Sequence, residues 1–353
     1  MEGERQKWKS QKSATLKDVA KLAGVSESLA SRAINGNLIS SRISPVTRES
    51  VLGAAELLGY RPNEVARSLH RGRTNRLGVY SGIQSGSNRD LLGKGELPID
   101  ASNVFFGALL AGMCKGCNNA GMELLIHSAG NSEAQLEELV ASSSVDGLLI
   151  FAVPNDPLLN LLEKLRMPAV AMSDRVPGIP SVSADDQLGG KLQARYLAQK
   201  GHRHVILKQS YDRQWSTVER MNGFAEEAKK LQMQVSWSFE TPGRQERLND
   251  DDLRLITGGA ERPTAYVDWN DSNAHLACEE LVARGFAIPQ DLAVVGFDGI
   301  NHPYPLKYDL TTVKADWPSV GRRAAEVLSD LISGKTVPNI TRLPVEFHPG
   351  STA

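Results

Sequence analysis

The chain has 353 residues, 41% of them hydrophobic, with 40 Lys and Arg against 41 Asp and Glu and a formal net charge of −1. That length exceeds one ordinary hydrophobic core, so two or three domains are expected, and no run approaches the ~20 apolar residues of a membrane span. Three cysteines do not make a disulfide framework, and no apolar stretch follows Met1-Glu-Gly-Glu-Arg-Gln-Lys7 as it would in a signal peptide; a reducing cytoplasm is the expected setting.

The near-neutral total hides an asymmetry. Residues 1–76 hold 14 Lys and Arg against 7 Asp and Glu, whereas residues 77–353 hold 26 against 34. A basic head on an acidic body argues for nucleic acid at one end only. Residues 1–14 read as a disordered basic arm. Thr15 followed by Asp18 is a capping-box pattern that opens a helix. Gly24 stops it, and Ser26 caps a second helix running to Asn35-Gly36. Two short helices around a glycine turn are the sequence form of a helix-turn-helix, the second helix being the one offered to the major groove. Ser44-Pro45 opens a third helix, with Val46, Val51, Ala54, Leu57 and Leu58 expected to face inward and Gly59 to end it. Tyr60-Arg-Pro-Asn63 reads as a turn, Asn63 as the cap of a short segment Glu64–His70, and Arg71-Gly-Arg-Thr74 as a basic linker.

From Arg76 the character changes. Strands are predicted at Leu77–Tyr80, Met122–Ile126, Val145–Phe151 and Ala169–Ala171, with helices at Phe105–Ala120, Ser132–Ala141 and Pro157–Arg166 between them. A second cycle is predicted to begin at Ser181. It has helices at Leu188–Lys200, Thr217–Leu231 and Ser272–Arg284, and strands at His204–Leu207, Ala265–Val267 and Leu292–Val295. Short apolar strands alternating with amphipathic helices mean a parallel α/β sheet. Two such units make a two-lobed body, and a cleft between lobes is a common small-molecule site.

Several patterns are decoys. Gly334-Lys335-Thr336 lacks the first glycine of a phosphate loop and follows a helix. Asn339-Ile-Thr341 is a sequon without a secretory route. His202 and His204 have no partners at metal spacing. Cys114 and Cys117 have no second pair at zinc spacing, and their helical context reads as two small buried residues. No Gly-x-Ser-x-Gly elbow occurs. No metal, cofactor or catalytic constellation is expected, which sets aside an enzyme, including a sugar-metabolising one; a basic helix-turn-helix in place of a secretory signal sets aside a solute receptor.

Thr15–Asn35 and Arg61-Pro-Asn-Glu-Val-Ala-Arg-Ser-Leu69 resemble the LacI/GalR family of bacterial transcription repressors. In the same order along the body come Gly201-His-Arg-His204, Arg220-Met-Asn-Gly-Phe224, Asn270-Asp271, Val294-Val-Gly-Phe-Asp298, Leu310-Thr-Thr-Val313 and Ser351-Thr352. The resemblance implies a homodimer with an all-α helix-turn-helix head (15–60) and a hinge (61–75). It also implies a periplasmic-binding-protein-like α/β core of parallel sheets whose chain crosses between lobes three times. The first lobe would hold 76–178 and 309–337, the second 179–308 and 338–353. Glu27 is unusual at a base-reading position, and the loop 85–102 is longer than in relatives.

The expected partners are an operator in double-stranded DNA and a small-molecule effector, most simply a carbohydrate. The DNA contact set is Thr15, Ser26, Glu27, Ser28, Ser31, Arg32, Asn35, Arg42, Asn63, Ala66, Arg67 and Leu69. Arg32 is the best direct reader, because a guanidinium grips guanine O6 and N7 together, and Glu27 can accept from cytosine N4. By resemblance Leu69 is a wedge for the minor groove. The effector set is Phe106, Asp174, Arg175, Ser216, Arg220, Asn270 and Asp298, with Arg220 and Asp298 as polar anchors and Trp215 and Trp269 close by to stack on a sugar face. The ligand would act by favouring one arrangement of the lobes.

Overall fold

The computed structural model describes residues 14–35, 43–62, 72–81, 104–126, 144–151, 162, 164, 166–210, 214–241, 248–259, 261–300 and 307–353. The chain forms two compact units, Met1–Thr74 and Asn75–Ala353. In the first, α1 spans Leu16–Ala23 and carries the full capping box: the Asp18 amide donates to Thr15 Oγ1 and the Thr15 amide to the Asp18 carboxylate. Gly24 ends α1 at φ 67°, a left-handed conformation costly for a side chain-bearing residue. Helix α2 spans Glu27–Asn35, with Ser26 Oγ accepting from the Leu29 amide at 3.3 Å. Helix α3 spans Pro45–Leu57, capped by Ser44. Val19, Ala20, Ala30, Ala33, Val51 and Ala54 form the core of this unit.

The expected inner face of α3 needs correcting. Val51 and Ala54 are buried, but Val46 is 76% and Leu57 84% exposed, and Leu58 lies on the rim. At ~100° per residue, positions 46 and 57 fall roughly 80° and 60° beyond the Ala54 edge of the Val51–Ala54 stripe. The segment from Asn63 to His70 lies outside the described residues, as do the helix predicted at 132–141 and most of that at 157–166.

In the second unit the first lobe begins with β1 (Arg76–Ser81), α4 (Val104–Ala120), β2 (Glu123–Ile126), β3 (Gly147–Phe151), β4 (Ala169–Met172) and β5 (Ser181–Ala184). The chain continues with α5 (Asp186–Gln199), β6 (His204–Gln209), α6 (Trp215–Lys230), β7 (Gln234–Phe239) and α7 (Asp250–Ile256). Next come β8 (Ala265–Val267), α8 (Asp271–Ala283), β9 (Ala293–Asp298) and β10 (Thr311–Ala315). It ends with α9 (Trp317–Ile332), β11 (Ile340–Leu343) and β12 (Val345–His348). Among the described residues the strands make two six-stranded sheets, ordered β11-β5-β4-β3-β1-β2 and β12-β10-β9-β8-β6-β7. Every pairing is parallel except β10 with β12.

The sheets carry the chain across between lobes three times: after β5, between β10 and α9, and between β11 and β12. The crossings differ in place from the sequence expectation. The sequence pattern places Ser181–Ala184 in the second cycle, yet β5 pairs with β4 and β11 in the first sheet. The family resemblance places Thr311–Ala315 in the first lobe, yet β10 pairs with β9 and β12 in the second. Within 338–353, only β12 joins the second sheet. Alternation along the chain counts strands; their sheet is decided by hydrogen-bond partners far away in sequence.

In each lobe one pair of helices crosses backbone against backbone. A Cβ on Gly112 of α4 would stand 1.9 Å from the Pro318 carbonyl oxygen, and one on Gly321 of α9 2.2 Å from that of Leu109. In the second lobe, a Cβ on Gly190 of α5 would stand 2.0 Å from the Arg220 carbonyl oxygen, and one on Gly223 of α6 2.2 Å from that of Gln187. The α4–α9 pair packs Leu109, Met113, Cys117, Val320, Ala324 and Leu328 over the first sheet. Cys114 is exposed, contrary to expectation, because the buried stripe of α4 runs through 106, 109, 113 and 117. Burial pushes the Cys117 thiol up to about 11.

Candidate functional site

On α2, Ala30 and Ala33 face the core. Glu27, Ser28, Ser31, Arg32 and Asn35 follow at offsets of one, four, five and eight residues and share the opposite, mostly exposed face. Arg32 Nε donates to the Ser28 carbonyl at 3.3 Å and Asn35 Nδ2 to Ser31 Oγ at 3.4 Å. These contacts hold Arg32 and Asn35 along the face. Glu27 sits in the first turn, where a carboxylate complements the helix dipole. Thr15 and Ser26 use their hydroxyls as caps within the head. Arg42, Asn63, Ala66, Arg67 and Leu69 lie outside the described residues.

The body residues converge where the lobes meet. Arg220 projects from α6, and the close crossing with α5 sets it against Asp186: its Nε donates to Asp186 Oδ1 at 2.7 Å. Its Nη1 donates to the Trp269 carbonyl at 2.8 Å and stands 3.4 Å from Asp298 Oδ1. The guanidinium lies flat on Phe297, 3.7 Å from the ring centre. Asp298 ends β9 at φ 134°, a strained conformation for a residue with a side chain, of the kind that clusters at functional sites. Its carbonyl accepts from Trp317 Nε1 at 3.0 Å. Asp271 accepts from Thr312 Oγ1 at 2.5 Å and from the Gly299 amide at 2.7 Å.

A second cluster joins the lobes directly. Asp174, just past β4, accepts the Ser216 amide at the start of α6 at 2.9 Å and the Arg175 amide at 2.7 Å. Arg175 stacks on Trp215, 4.8 Å from the ring centre, and Arg342 of β11 pairs with Glu219 of α6 at 3.1 Å. Ser173, beside Asp174, also has a left-handed backbone, φ 60°. Both clusters lie at the carboxyl ends of parallel strands, where open α/β sheets bind ligands.

Burial dominates the electrostatics. It raises Asp298 to about 8 against the pull of Arg220, and Asp174 to about 7 against its two amide donors. It raises Asp186 and Asp271 to about 6. Burial opposes the charge of Arg220, but Asp186, Asp298 and Asp271 overcome it and raise its pKa. Of the effector set, Asp174, Arg175 and Ser216 come together, as do Arg220 and Asp298. Asn270 adjoins Trp269 and caps α8 through the Asn273 amide. Phe106 belongs to the apolar cluster that includes Phe297 and Trp317. Sequence reasoning missed Asp186 and Asp271 as members. Asp271 stands in a motif already singled out, while Asp186 is masked by Asp185, which reads equally well as the cap of α5. Among the described residues no group of three or more His, Cys, Asp or Glu is arranged to hold a metal ion.

Residues 15–63 match the family model of bacterial regulatory proteins, lacI family, and residues 194–353 that of a periplasmic binding protein-like domain. The chain is 30% identical over 336 residues to the HTH-type transcriptional repressor PurR of Aliivibrio fischeri (strain MJ11), covering 91% of this chain and 93% of that one. The PurR repressor of Vibrio atlanticus (strain LGP32) is 28% identical, with 95% and 96% covered. Among solved structures, the lac repressor dimer bound to operator and the anti-inducer ONPF superposes with a TM-score of 0.78, at 24% identity, over 97% of this chain and 99% of that one. The complex of the transcriptional regulator CelR with cellobiose gives 0.64 at 27% identity, over 96% and 100%. With repressors as relatives over nearly its full length, the chain belongs to the lacI family of bacterial regulatory proteins, as a DNA-binding transcriptional repressor and not an enzyme.

Proposed function

We propose that the effector is a carbohydrate bound between the lobes, with Arg220 and Asp298 as its polar anchors and Asp174, Arg175, Ser216, Asn270 and Phe106 around them. The observation that carries this reading is the pairing of a guanidinium and a strained carboxylate at the ends of the strands, with Trp215, 42% exposed, at the start of the helix that carries Arg220. A carboxylate accepts from sugar hydroxyls, a guanidinium donates to them, and an indole face packs on the ring. The cellobiose complex of CelR supports the ligand class. The protein works as a cytoplasmic, nucleoid-associated homodimer. Its head is residues 15–60 and its hinge 61–75, with Leu69 inserted at the operator centre. Arg32 reads bases, Glu27 and Ser28 occupy the two base-reading positions, and Thr15, Ser26, Ser31, Asn35, Arg42, Asn63, Ala66 and Arg67 complete the DNA contact set.

A melting-shift screen of the full-length protein against mono- and disaccharides, cellobiose included, tests the ligand class. The expected result is a saturable shift with at least one sugar, lost in Asp298→Ala while operator binding remains. A flat response across the panel rejects a carbohydrate. Site selection from random duplexes tests the head. Glu27→Gln should relax one base-pair preference in each half-site by about 1–3 kcal/mol, and an unchanged consensus would show that Glu27 reads nothing.

A further inference from the structure

Two features of this site would ordinarily recruit an anion: the amino-terminal end of a long helix and a buried guanidinium. Both are already met by carboxylates of the chain itself. Gln214, at the cap position of the 16-residue α6, makes no side-chain capping bond. The Ser216 amide is instead taken by Asp174 from the opposite lobe, a carboxylate 7% exposed. Arg220 is flanked by Asp186 at 2.7 Å and Asp298 at 3.4 Å, and its face is covered by Phe297. Asp271 adds a third carboxylate within electrostatic reach of the same guanidinium. Among the described residues, the buried charges of this site are therefore four aspartates and one arginine.

We propose that this site excludes anions: Asp174 and Asp186 occupy the places an anionic group would take, so the effector is uncharged and rich in hydroxyls, and phosphorylated or carboxylated relatives of it are rejected. This rests on the reading that a small molecule binds between the lobes beside Arg220 and Asp298. A phosphate entering here would have to displace Asp174 from the helix end or share Arg220 with two carboxylates already desolvated around it. Burial has raised all four acids above their ordinary range, so a further negative charge meets groups that already hold theirs at a disadvantage. A neutral hydroxyl meets no such opposition. It can donate to the Asp298 carboxylate and accept from the Arg220 guanidinium.

The test is calorimetric titration of the full-length protein at fixed ionic strength with glucose, cellobiose, glucose 6-phosphate and inorganic sulfate, in the wild type and in Asp174→Asn and Asp186→Asn. Sulfate also meets the basic head, so the readout is the difference between wild type and variant, in which the head cancels. In the wild type, glucose 6-phosphate should bind at least 100-fold more weakly than the neutral sugar that binds best. Each variant should gain at least tenfold in sulfate affinity. Glucose 6-phosphate binding the wild type as tightly as a neutral sugar overturns the proposal and leaves the carbohydrate reading standing. If neither sugar binds, the carbohydrate reading is what suffers, and the sulfate comparison decides the charge question alone. Variants that keep their far-ultraviolet circular dichroism and gain no sulfate affinity overturn the assignment to these two residues. Should a variant not fold, the wild-type comparison of glucose 6-phosphate with neutral sugar decides.

Discussion

The two lobes use one packing device for opposite purposes. In the first, α4 and α9 touch through Gly112 and Gly321, and what they enclose is apolar: Leu109, Met113, Val320 and Ala324. In the second, α5 and α6 touch through Gly190 and Gly223 in the same way, but Asp186 and Arg220 ride on the crossing. Bringing two backbones together leaves the side chains beside the contact little room to shift. One lobe uses that precision to close a core, the other to hold ions at fixed spacing inside protein.

Removing the central residue of each arrangement separates the two uses most sharply. Trp317→Ala opens a cavity under α9 and should cost about 3–5 kcal/mol. Arg220→Ala should cost a similar ~3–5 kcal/mol by leaving Asp186 and Asp298 buried without their cation. Their pH behaviour should differ. At pH 5 the stranded carboxylates take up protons, so urea unfolding should show Arg220→Ala recovering much of its loss and Trp317→Ala none. Equal losses at pH 5 and pH 8 would mean that the charges in the second lobe count only as packing.

Gly112→Ala and Gly190→Ala come next. Each forces a methyl group against a carbonyl oxygen and should cost about 1–3 kcal/mol. Only Gly190→Ala moves Arg220, so only it should also weaken the response of operator binding to effector in a gel-shift titration. A comparable weakening by Gly112→Ala would show that the lobes share one rigid core.

The last test is the pH dependence of the wild type. Burial raises Asp174, Asp186, Asp271 and Asp298 to about 6 to 8, well above the ordinary carboxylate range. In that window the folded protein holds more protons than the unfolded chain, so stability falls as pH rises from about 4 to 8. Each acid contributes a slope of up to about 1.4 kcal/mol per pH unit while it is protonated only in the folded state. Exposed Glu226 and buried Glu227, lowered by their bonds to Lys191 and Arg195, act in the opposite sense, and only below the ordinary carboxylate range. Denaturation midpoints at pH 5, 6, 7 and 8 that stay level would contradict the burial of these acids.

Features set by neighbours in sequence were legible without coordinates. The Thr15–Asp18 box, the Gly24 stop and the Ser44-Pro45 start each involve residues within four positions of one another. Features set by distant partners were not. Asp185 and Asp186 are the same residue type side by side. One caps α5 through the Leu188 amide and the other turns inward to Arg220, a choice made by a helix 30 residues away. The strand Ser181–Ala184 looked like the start of a new cycle because its partner β11 lies near the other end of the chain. Leu57 was read as core because it is leucine, whereas its angle on α3 points it outward.

The third and second crossings also set an order of events at the ribosome. The core of the first lobe contains Trp317, Val320, Ala324 and Leu328, and its sheet ends on β11. None of these exists when β1 to β5 emerge. At ~5–20 residues per second, the first lobe waits on the order of ten seconds or more for the segment that completes it. The second lobe in turn receives β12 only after that, so neither lobe is finished before the other is nearly made. Nascent chains halted before residue 316 should expose the apolar underside of α4, making them natural clients of chaperones that recognise uncovered helices.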